Sequence, residues 1–522
     1  MHRMPQKACH TFVSVLMVFL FGLSGWMPAQ EKKPDEAKAQ PPAASDANQT
    51  AATPKEQSSV TAHTLELNGQ TIHYTATAGN LVIRDEENKP TGSVFYVAYT
   101  KDNAAKDRPV TFLYNGGPGS STIWLHMGAF GPVRVETASP KATPPAPYRL
   151  VPNQYSLLDK TDLVFIDAMG TGFSKPVGKG QLKDFLGVDE DTHTFNLFIA
   201  RYITVNHRWN SPKFLIGESY GTTRSAALAY SLEQSGIAVN GVVLISSILN
   251  FADHAAGLDN NFIDYLPSYA AIAWYHDKLT NKPADLSAFL EQVRTYARGP
   301  YAEALWQGQN LSAADEDAVA QKLSQMTGLS VQYLKESNLR VPPSRFRKEL
   351  LRDESRTVGR YDARFEGIDI DAAGDVPSYD ASDTGITGAF VAAFHDYLAN
   401  TLDYSSQDAY KTTAYGPGFH WDWKHEPPNG DRQQQPDVAL DLGAAMRQNP
   451  HLKLFSANGY FDLATPFFET EFDISHMELV PALHKNIRFG YYPSGHMIYL
   501  NVDALKQLKG DLAQFYADAT AQ

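Results

Sequence analysis

The residue best suited to chemistry in this sequence is Ser219, which lies in the pentapeptide of residues 217–221 (GESYG). A serine between two glycines can project from a sharp strand-to-helix turn, where its hydroxyl is exposed as a nucleophile. An apolar run at residues 213–216 precedes the pentapeptide, and an Ala-rich stretch at residues 222–234 follows it. This context predicts a nucleophile elbow, and the alternative is an ordinary turn between a strand and a helix.

A nucleophilic serine requires a base and an acid that orients it, and both follow Ser219 in the chain. Asp462 ends the stretch NGYFD, and His496 lies in the stretch SGHM. Each comes just after an apolar, strand-like run, so both are expected at the carboxyl ends of strands, where open α/β sheets form their active sites. The order serine, acid, histidine predicts Ser219 as nucleophile, His496 as general base and Asp462 as its orienting acid. Taken singly, Asp462 and His496 could equally be turn residues.

A glycine-rich stretch at residues 115–119 (NGGPG) also follows an apolar run. Adjacent glycines allow backbone N–H groups to approach a developing oxyanion closely. The stretch therefore predicts an oxyanion hole, and a plain tight turn is the alternative.

These residues need a sheet to position them, and short apolar runs indicate one. The runs suited to buried strands are residues 110–114, 163–166, 214–216, 242–245, 452–456 and 487–492. Helical patterns lie between or after them, at residues 195–209, 222–234, 389–402 and 502–517. An Asn68-Gly69 hairpin signal and a strand at residues 93–99 predict an antiparallel edge. The alternation predicts a doubly wound α/β sheet, mostly parallel and flanked by helices, and the nucleophile elbow within it predicts the α/β-hydrolase fold.

The composition changes along the chain predict five segments. Residues 1–30 have the charged, apolar, small-residue order of a signal peptide, and residues 31–60 have the composition of a disordered linker. Residues 61–250 and 386–522 are the two parts of the predicted hydrolase core. Residues 251–385, with helical patterns at 286–298 and 313–326, predict a helical cap inserted between them.

Charge and cysteine content restrict the partners and the location. The net charge of −13 argues against a nucleic-acid partner. The single cysteine, Cys9, precedes the apolar run of the predicted signal peptide, so neither a disulfide framework nor a lipid anchor is expected. We therefore expect a secreted or periplasmic protein without a stable membrane anchor after signal cleavage.

Five stretches taken in order resemble the signature blocks of the serine carboxypeptidases. They are residues 115–121 (NGGPGSS), residues 167–174 (DAMGTGFS), residues 217–221 (GESYG), Asp462 and the pair His496-Met497. The resemblance implies an α/β-hydrolase fold and hydrolysis of C-terminal residues from peptides through an acyl-enzyme on Ser219. It implies a peptide substrate with a free C-terminus and no cofactor.

The resemblance also implies roles for individual residues. The backbone amides of Gly117 and Tyr220 would form the oxyanion hole. Asn115, Gly116 and Glu218 would bind the C-terminal carboxylate of the substrate. Glu218 can donate a hydrogen bond to that carboxylate only when it is protonated.

The sequence departs from the family pattern at three positions. Ser120 stands where eukaryotic members carry a cysteine, which suggests a bacterial branch without disulfides. Leu113 replaces a tryptophan of the carboxylate-binding network, and Ala129 replaces its second glutamate. The alternative functions are therefore a serine esterase or acyltransferase on the same fold, and a non-catalytic binding protein.

An acidic stretch at residues 369–380 has partial similarity to a calcium-binding loop. Its fifth position is alanine and it lacks the glutamate that binds the ion through both oxygens. We interpret it as a solvated acidic loop and expect no metal site.

Overall fold

The structure is a computed structural model that describes residues 55–521. The predicted signal peptide and most of the predicted linker lie outside the described residues. The first strand begins at Ser58, a little before the predicted onset of order at residue 61. The Glu56 carboxylate explains this early start, because it accepts a hydrogen bond from the Val82 N–H at 2.8 Å and another from Arg201 at 2.6 Å.

Most strands coincide with the apolar runs of the sequence. In chain order they are β1 (Ser58–Leu67), β2 (Gln70–Arg84), β3 (Pro90–Lys101), β4 (Val110–Tyr114), β5 (Val133–Val135), β6 (Leu150–Pro152), β7 (Asp162–Ile166), β8 (Lys175–Pro176), β9 (Lys213–Ser219), β10 (Gly241–Ser247), β11 (Arg356–Val358), β12 (Glu366–Ile368), β13 (Lys453–Gly459) and β14 (Ile487–Tyr492).

One ten-stranded sheet forms the centre of the fold, in the order β1-β2-β3-β7-β4-β9-β10-β13-β14, with β8 paired to β3. The strands β1, β2 and β3 are antiparallel, and β1 and β2 are joined at the predicted turn, where Asn68 and Gly69 have φ of 52° and 75°. From β7 to β14 every neighbouring pair is parallel. The predicted mostly parallel α/β sheet is confirmed.

The helices lie between and after the parallel strands. In chain order they are α1 (Val188–Val205), α2 (Tyr220–Gln234), α3 (Asn260–Tyr275), α4 (Leu286–Tyr296), α5 (Ala302–Gln307), α6 (Ala313–Thr327), α7 (Val331–Glu336), α8 (Pro343–Glu349), α9 (Ala381–Thr384), α10 (Thr387–Asn400), α11 (Ala439–Gln448), α12 (Phe467–Ser475), α13 (Pro481–His484) and α14 (Val502–Thr520). Within residues 55–521, none of these helices combines the length and the apolar character that crossing a membrane requires.

The two faces of the sheet bury separate apolar cores, because successive side chains of a strand point to opposite faces. On β9, Phe214 and Ile216 pack into the core that α10 and α14 cover. Leu215, between them, packs into the opposite core, which α1, α2 and α11 cover. The sheet is therefore covered by helices on both faces, which holds the carboxyl ends of β9, β13 and β14 in fixed positions.

The predicted cap region, residues 251–385, contributes no strand to the ten-stranded sheet of the described chain. It holds helices α3 to α9 and also the small antiparallel pair of β11 and β12, which the sequence pattern did not predict. Strands of three residues are too short to show an alternating pattern. The apolar core of this region includes Phe461 and Leu463, which flank Asp462, so the insertion packs directly on the segment that carries the predicted acid.

Helix α1 differs from its predicted bounds of residues 195–209. It begins at Val188 and ends at Val205. Its first turn carries Asp189, Glu190 and Asp191, whose negative charges favour a helix N-terminus but add nothing to an apolar pattern.

Candidate active site

Ser219 lies at the junction of β9 and α2, as the elbow pattern predicts. Its φ of 61° and ψ of −133° are sparsely populated for a residue with a side chain. The flanking glycines are required by close backbone contacts. A Cβ on Gly217 would lie 2.0 Å from the Gly221 carbonyl oxygen, and one on Gly221 would lie 2.8 Å from that of Tyr114. The turn therefore holds the Ser219 side chain at the carboxyl edge of the sheet.

His496 and Asp462 are in direct contact on the loops that follow β14 and β13. The His496 Nδ1 atom lies 2.7 Å from Asp462 Oδ2, and both side chains are buried. Asp462 Oδ1 accepts the backbone N–H groups of Ala464 at 2.7 Å and Thr465 at 3.1 Å. These bonds fix the carboxylate, so Oδ2 is held against the imidazole and His496 keeps its Nε2 atom free for another partner.

The charge around His496 favours its use as a base. Burial by itself lowers the pKa of His496, but the negative charge and hydrogen bond of Asp462 outweigh burial, and the pKa is raised above its ordinary value. The negative charge of Glu218 acts in the same direction. The imidazolium that forms when His496 takes a proton is therefore stabilised.

A cavity of about 580 Å³ brings the predicted residues together. The predicted site residues that line it are Asn115, Gly116, Gly117, Glu218, Ser219, Tyr220 and His496. Asp462 joins them through His496. Among the described residues, the Ser219 hydroxyl makes no hydrogen bond within the protein, so it is available to a molecule in the cavity.

The glycine-rich stretch after β4 lies against the N-terminus of α2. The first N–H groups of a helix have no acceptor within that helix, so the N–H of Tyr220 is available to an oxyanion. Gly117 has φ of 111°, a conformation that favours glycine. A Cβ on Gly116 would lie 2.4 Å from the nitrogen of Tyr220 and 2.4 Å from that of Gly221. A glycine at position 116 therefore keeps the approach to these N–H groups open.

We expect Gly116→Ala to lower kcat by about 10²- to 10³-fold, as removal of an oxyanion-hole donor does elsewhere. The added methyl would displace or cover the N–H of Tyr220. Steady-state kinetics on an activated ester measure the loss. Gly299→Ala is the matched control, because no atom lies within 4 Å of its added Cβ. Equal kcat values for the two variants would contradict an oxyanion site at Tyr220.

Asn115 and Glu218 form a buried polar pair beside Ser219. Asn115 Nδ2 donates to Glu218 Oε1 at 2.7 Å, and the N–H of Leu125 donates to Asn115 Oδ1 at 3.0 Å. The backbone bond therefore fixes the orientation of the amide. Glu218 Oε2 is buried and has no hydrogen-bond partner among the described residues.

The pair has a third member that the sequence analysis missed. The hydroxyl of Tyr499 lies near Glu218 and Asn115, although it makes no well-formed hydrogen bond among the described residues. Burial raises the pKa of Tyr499 well above its ordinary value, so the phenol stays protonated. Tyr499 follows His496 closely in the chain, and nothing in its local sequence marks it.

Burial also raises the pKa of Glu218, to about 7, because an ionised carboxylate is poorly solvated there. The positive charge of His496, the nearby hydroxyl of Tyr499 and the hydrogen bond from Asn115 oppose this shift. Since Oε1 already accepts a hydrogen bond from Asn115, the proton of neutral Glu218 belongs on Oε2. Neutral Glu218 can then donate a hydrogen bond from Oε2.

Two of the three departures from the family pattern, Leu113 and Ala129, lie in the core. Leu113 and Ala129 are fully buried, so neither supplies a polar atom to the Asn115–Glu218 pair. In the acidic stretch, Asp369 pairs with Lys348 at 2.6 Å, and Asp371 accepts N–H groups of its own loop. In residues 55–521 no group of acidic, histidine or cysteine side chains is arranged to hold a metal ion.

The sheet, the elbow and the Asp462–His496 contact are those of a serine hydrolase of the α/β-hydrolase class. A family model described as serine carboxypeptidase (Peptidase S10) matches residues 68–330. The chain therefore belongs to the serine carboxypeptidase family, and the predicted resemblance is confirmed.

Similar proteins agree with this assignment. The chain is 28% identical over 211 residues to a pheromone-processing carboxypeptidase KEX1 of Cryptococcus gattii, over 40% of this chain and 28% of that protein. The KEX1 of Saccharomyces cerevisiae is 32% identical over 156 residues, or 27% of this chain and 20% of that protein. The match to serine carboxypeptidase-like 45 of Arabidopsis thaliana is 26% over 234 residues, covering 42% and 45%. The chain thus spans less than half of each of these relatives.

The fold has a solved counterpart. The crystal structure of KEX1(Δ)p, a prohormone-processing carboxypeptidase from S. cerevisiae, superposes with a TM-score of 0.50 and 15% identity. The superposition covers 85% of this chain and 92% of that one. It supports the α/β-hydrolase fold for nearly all of the described residues.

Proposed function

We propose that this protein is an exported serine carboxypeptidase that removes C-terminal residues from peptides through an acyl-enzyme on Ser219. The observation that carries the proposal is the buried Asn115–Glu218 pair, which lies in the same cavity as Ser219 and His496. A buried carboxyl beside the nucleophile that can be protonated offers a hydrogen-bond donor to the C-terminal carboxylate of a peptide.

In the proposed mechanism, Ser219 Oγ attacks the scissile carbonyl carbon while His496 Nε2 accepts the hydroxyl proton. Asp462 holds the Nδ1 side of the ring and stabilises the imidazolium. The N–H groups of Gly117 and Tyr220 donate to the oxyanion of the tetrahedral intermediate. His496 then returns the proton to the leaving amine as the C–N bond breaks. Water, activated by the same histidine, hydrolyses the ester on Ser219 and regenerates the enzyme.

The same cavity provides for recognition of the C-terminus. Asn115 and the backbone of Gly116 can donate hydrogen bonds to the α-carboxylate of the leaving residue. Neutral Glu218 adds a donor at Oε2, whereas ionised Glu218 would accept only and would repel the substrate. Binding of a free C-terminus therefore depends on the protonation of Glu218.

We expect the KM for a blocked dipeptide with a free C-terminus to rise by up to about tenfold per pH unit above pH 7. The sign follows from Glu218, whose pKa of about 7 means that its donor proton is lost above that pH. His496 acts oppositely, since its neutral form must serve as base. Protonation of Glu218 removes one of the charges that raise the pKa of His496, which extends base function to lower pH. The two effects together predict an acidic optimum for peptides and a higher, flatter optimum for esters.

The test compares the blocked dipeptide with its C-terminal amide across pH, in the wild type and in Glu218→Gln. Glutamine donates at every pH, so the KM of the variant for the free acid should no longer depend on pH. If the amide is cleaved as well as the free acid at acidic pH, Glu218 does not recognise a carboxylate and the exopeptidase proposal fails. The serine-hydrolase chemistry would survive that result.

One observation favours a second candidate, a serine esterase or acyltransferase. The apolar side chains of Leu113 and Ala129 leave the Asn115–Glu218 pair with fewer partners than the family pattern has. Discrimination for a free carboxylate should then be looser. Turnover of esters that exceeds turnover of every free-acid peptide would favour this candidate.

The remaining proposals concern location and partners. Export to the periplasm or the medium rests on the charged, apolar and small-residue order of residues 1–30, and fractionation of producing cells tests it. The proposed partner is a peptide with a free C-terminus. The proposed mechanism uses side chains, backbone N–H groups and water, with no cofactor.

A further inference from the structure

A short segment of the insertion is held against both catalytic loops. The carbonyl oxygen of Arg360 accepts the N–H of Leu463 at 3.0 Å, next to Asp462. The carbonyl oxygen of Tyr361 accepts the N–H of His496 at 2.6 Å. These two bonds hold Arg360 at the cavity that contains Ser219, and Arg360 is one of the residues that line this cavity.

The guanidinium of Arg360 has no partner among the described residues. Within residues 55–521, no carboxylate oxygen lies within 4.0 Å of the guanidinium, and the guanidinium makes no hydrogen bond. The ring of Tyr361 lies below the guanidinium, with its centroid 5.3 Å from the central guanidinium carbon. Two other arginines of the insertion differ in this respect. Arg364 pairs with Asp362 at 2.5 Å, and Arg347 donates to the carbonyl of Val358 at 3.1 Å.

Three carboxyl groups line the same cavity. Glu218 accepts a hydrogen bond from Asn115, and Asp380 and Asp383 also have other partners. Asp380 Oδ1 accepts the N–H of Arg360 at 2.9 Å and the Ser382 hydroxyl at 2.7 Å, and the Arg347 guanidinium lies 3.7 Å from it. Burial raises the pKa of Asp383, which also accepts the Thr387 hydroxyl at 3.2 Å. The guanidinium of Arg360 is therefore the unpaired permanent charge of this cavity within the described residues.

We propose that Arg360 binds a carboxylate of the substrate. The inference rests on the proposed function, because it takes a peptide as the molecule in the cavity. A guanidinium offers a planar pair of donors that matches a carboxylate, and it stays charged at every working pH. The carboxylate has two possible sources on a peptide, which are the α-carboxylate of the leaving residue and an acidic side chain near the scissile bond. Leu113 and Ala129 are apolar and cannot bind an anion. Arg360 would provide a carboxylate-binding group that these two positions lack.

The experiment measures binding by calorimetry in the Ser219→Ala background, so it does not depend on turnover. The first ligand pair is a blocked dipeptide with neutral side chains and its C-terminal amide. The second pair is two C-terminal amides that differ only in glutamate or glutamine at the last position. Arg360→Gln should raise the Kd of the carboxylate-bearing ligand by about 10- to 100-fold in at least one pair and leave the Kd of its neutral partner unchanged. The pair that responds identifies the source.

Two further variants make the result specific. Arg360→Lys keeps the charge but loses the planar pair of donors. Its Kd for the carboxylate-bearing ligand should therefore lie between those of the protein with Arg360 and of Arg360→Gln. Arg298→Gln removes an exposed positive charge elsewhere in the insertion and should have no effect. Labelling of Arg360→Gln by a fluorophosphonate, with Ser219 present, establishes that the nucleophile is still assembled.

Equal Kd values in wild-type and Arg360→Gln backgrounds for both pairs would overturn the proposal. A third C-terminal amide, with lysine at the last position, tests the opposite charge. Tighter binding of the lysine amide than of the glutamate amide would also overturn the proposal, because Asp380 and Asp383 would then be the groups that bind the substrate side chain. An Arg360-dependent Kd without any peptide hydrolysis by the wild type would retain the proposal and reject the carboxypeptidase activity.

Discussion

Replacing Ser219 by alanine is expected to lower kcat by about 10⁴- to 10⁶-fold for peptide and ester substrates alike. The loss is large because the serine, histidine and aspartate act as a unit, so removal of the nucleophile leaves only binding and the oxyanion hole. The fold should remain intact. The Ser219 hydroxyl makes no hydrogen bond within the described protein, and the cavity gains only the volume of one oxygen.

The measurement combines steady-state kinetics with labelling by a fluorophosphonate. The wild type should be labelled at one site, and Ser219→Ala should not be labelled. Ser235→Ala is the matched control, because Ser235 is an exposed serine that caps the far end of α2. Near-wild-type turnover by purified Ser219→Ala, with contaminating enzymes excluded, would reject the assignment of the nucleophile.

Asp462→Asn should lower kcat by about 10⁴-fold. The reason is the tautomer of His496. In the variant, the N–H groups of Ala464 and Thr465 would continue to bond the oxygen that stands in place of Oδ1. The side-chain NH₂ of the new amide would then face His496 Nδ1, and Nδ1 would have to accept a hydrogen bond from it. The imidazole proton would move to Nε2, which could no longer take the proton of Ser219.

The same substitution should lower the pKa of His496, since the charge of Asp462 is a main cause of its raised value. Histidine titration by NMR measures this shift separately from the rate. Asp473→Asn is the control, because Asp473 is equally buried but bonds the N–H of Leu249 and not His496. A variant Asp462→Asn with a normal rate and an unchanged histidine pKa would show that another acid orients His496.

The parts of the site that the sequence predicted are those with a short-range signature. The elbow is recognisable because Gly217, Ser219 and Gly221 lie in one pentapeptide, and the contact that requires Gly217 is with the carbonyl of Gly221, four residues away. Asp462 and His496 follow strands whose apolar runs are plain. In each case a short stretch of consecutive residues contains the pattern, so it can be recognised without knowledge of contacts between distant segments.

The parts that were missed depend on contacts between distant segments. Arg360 reaches the cavity through backbone bonds to loops more than a hundred residues further along, and backbone bonds leave no residue preference behind. Thr413 and Tyr415 line the same cavity from an irregular stretch without a periodic pattern. Tyr499 lies near Glu218 because it belongs to a short helical turn, Ile498–Leu500, that follows His496. The residues of this turn are buried and mostly apolar, so their sequence does not distinguish them from ordinary core.

The backbone bonds between the insertion and the catalytic loops bear on how this enzyme could be altered. If residues 251–385 were deleted, the N–H of His496 would lose its acceptor on Tyr361, and that of Leu463 would lose its acceptor on Arg360. A buried N–H without a partner destabilises its surroundings by about 1–3 kcal/mol. The insertion is thus not a separable module. Any replacement segment must place backbone carbonyls where those of Arg360 and Tyr361 lie, so substrate specificity and triad geometry would change together.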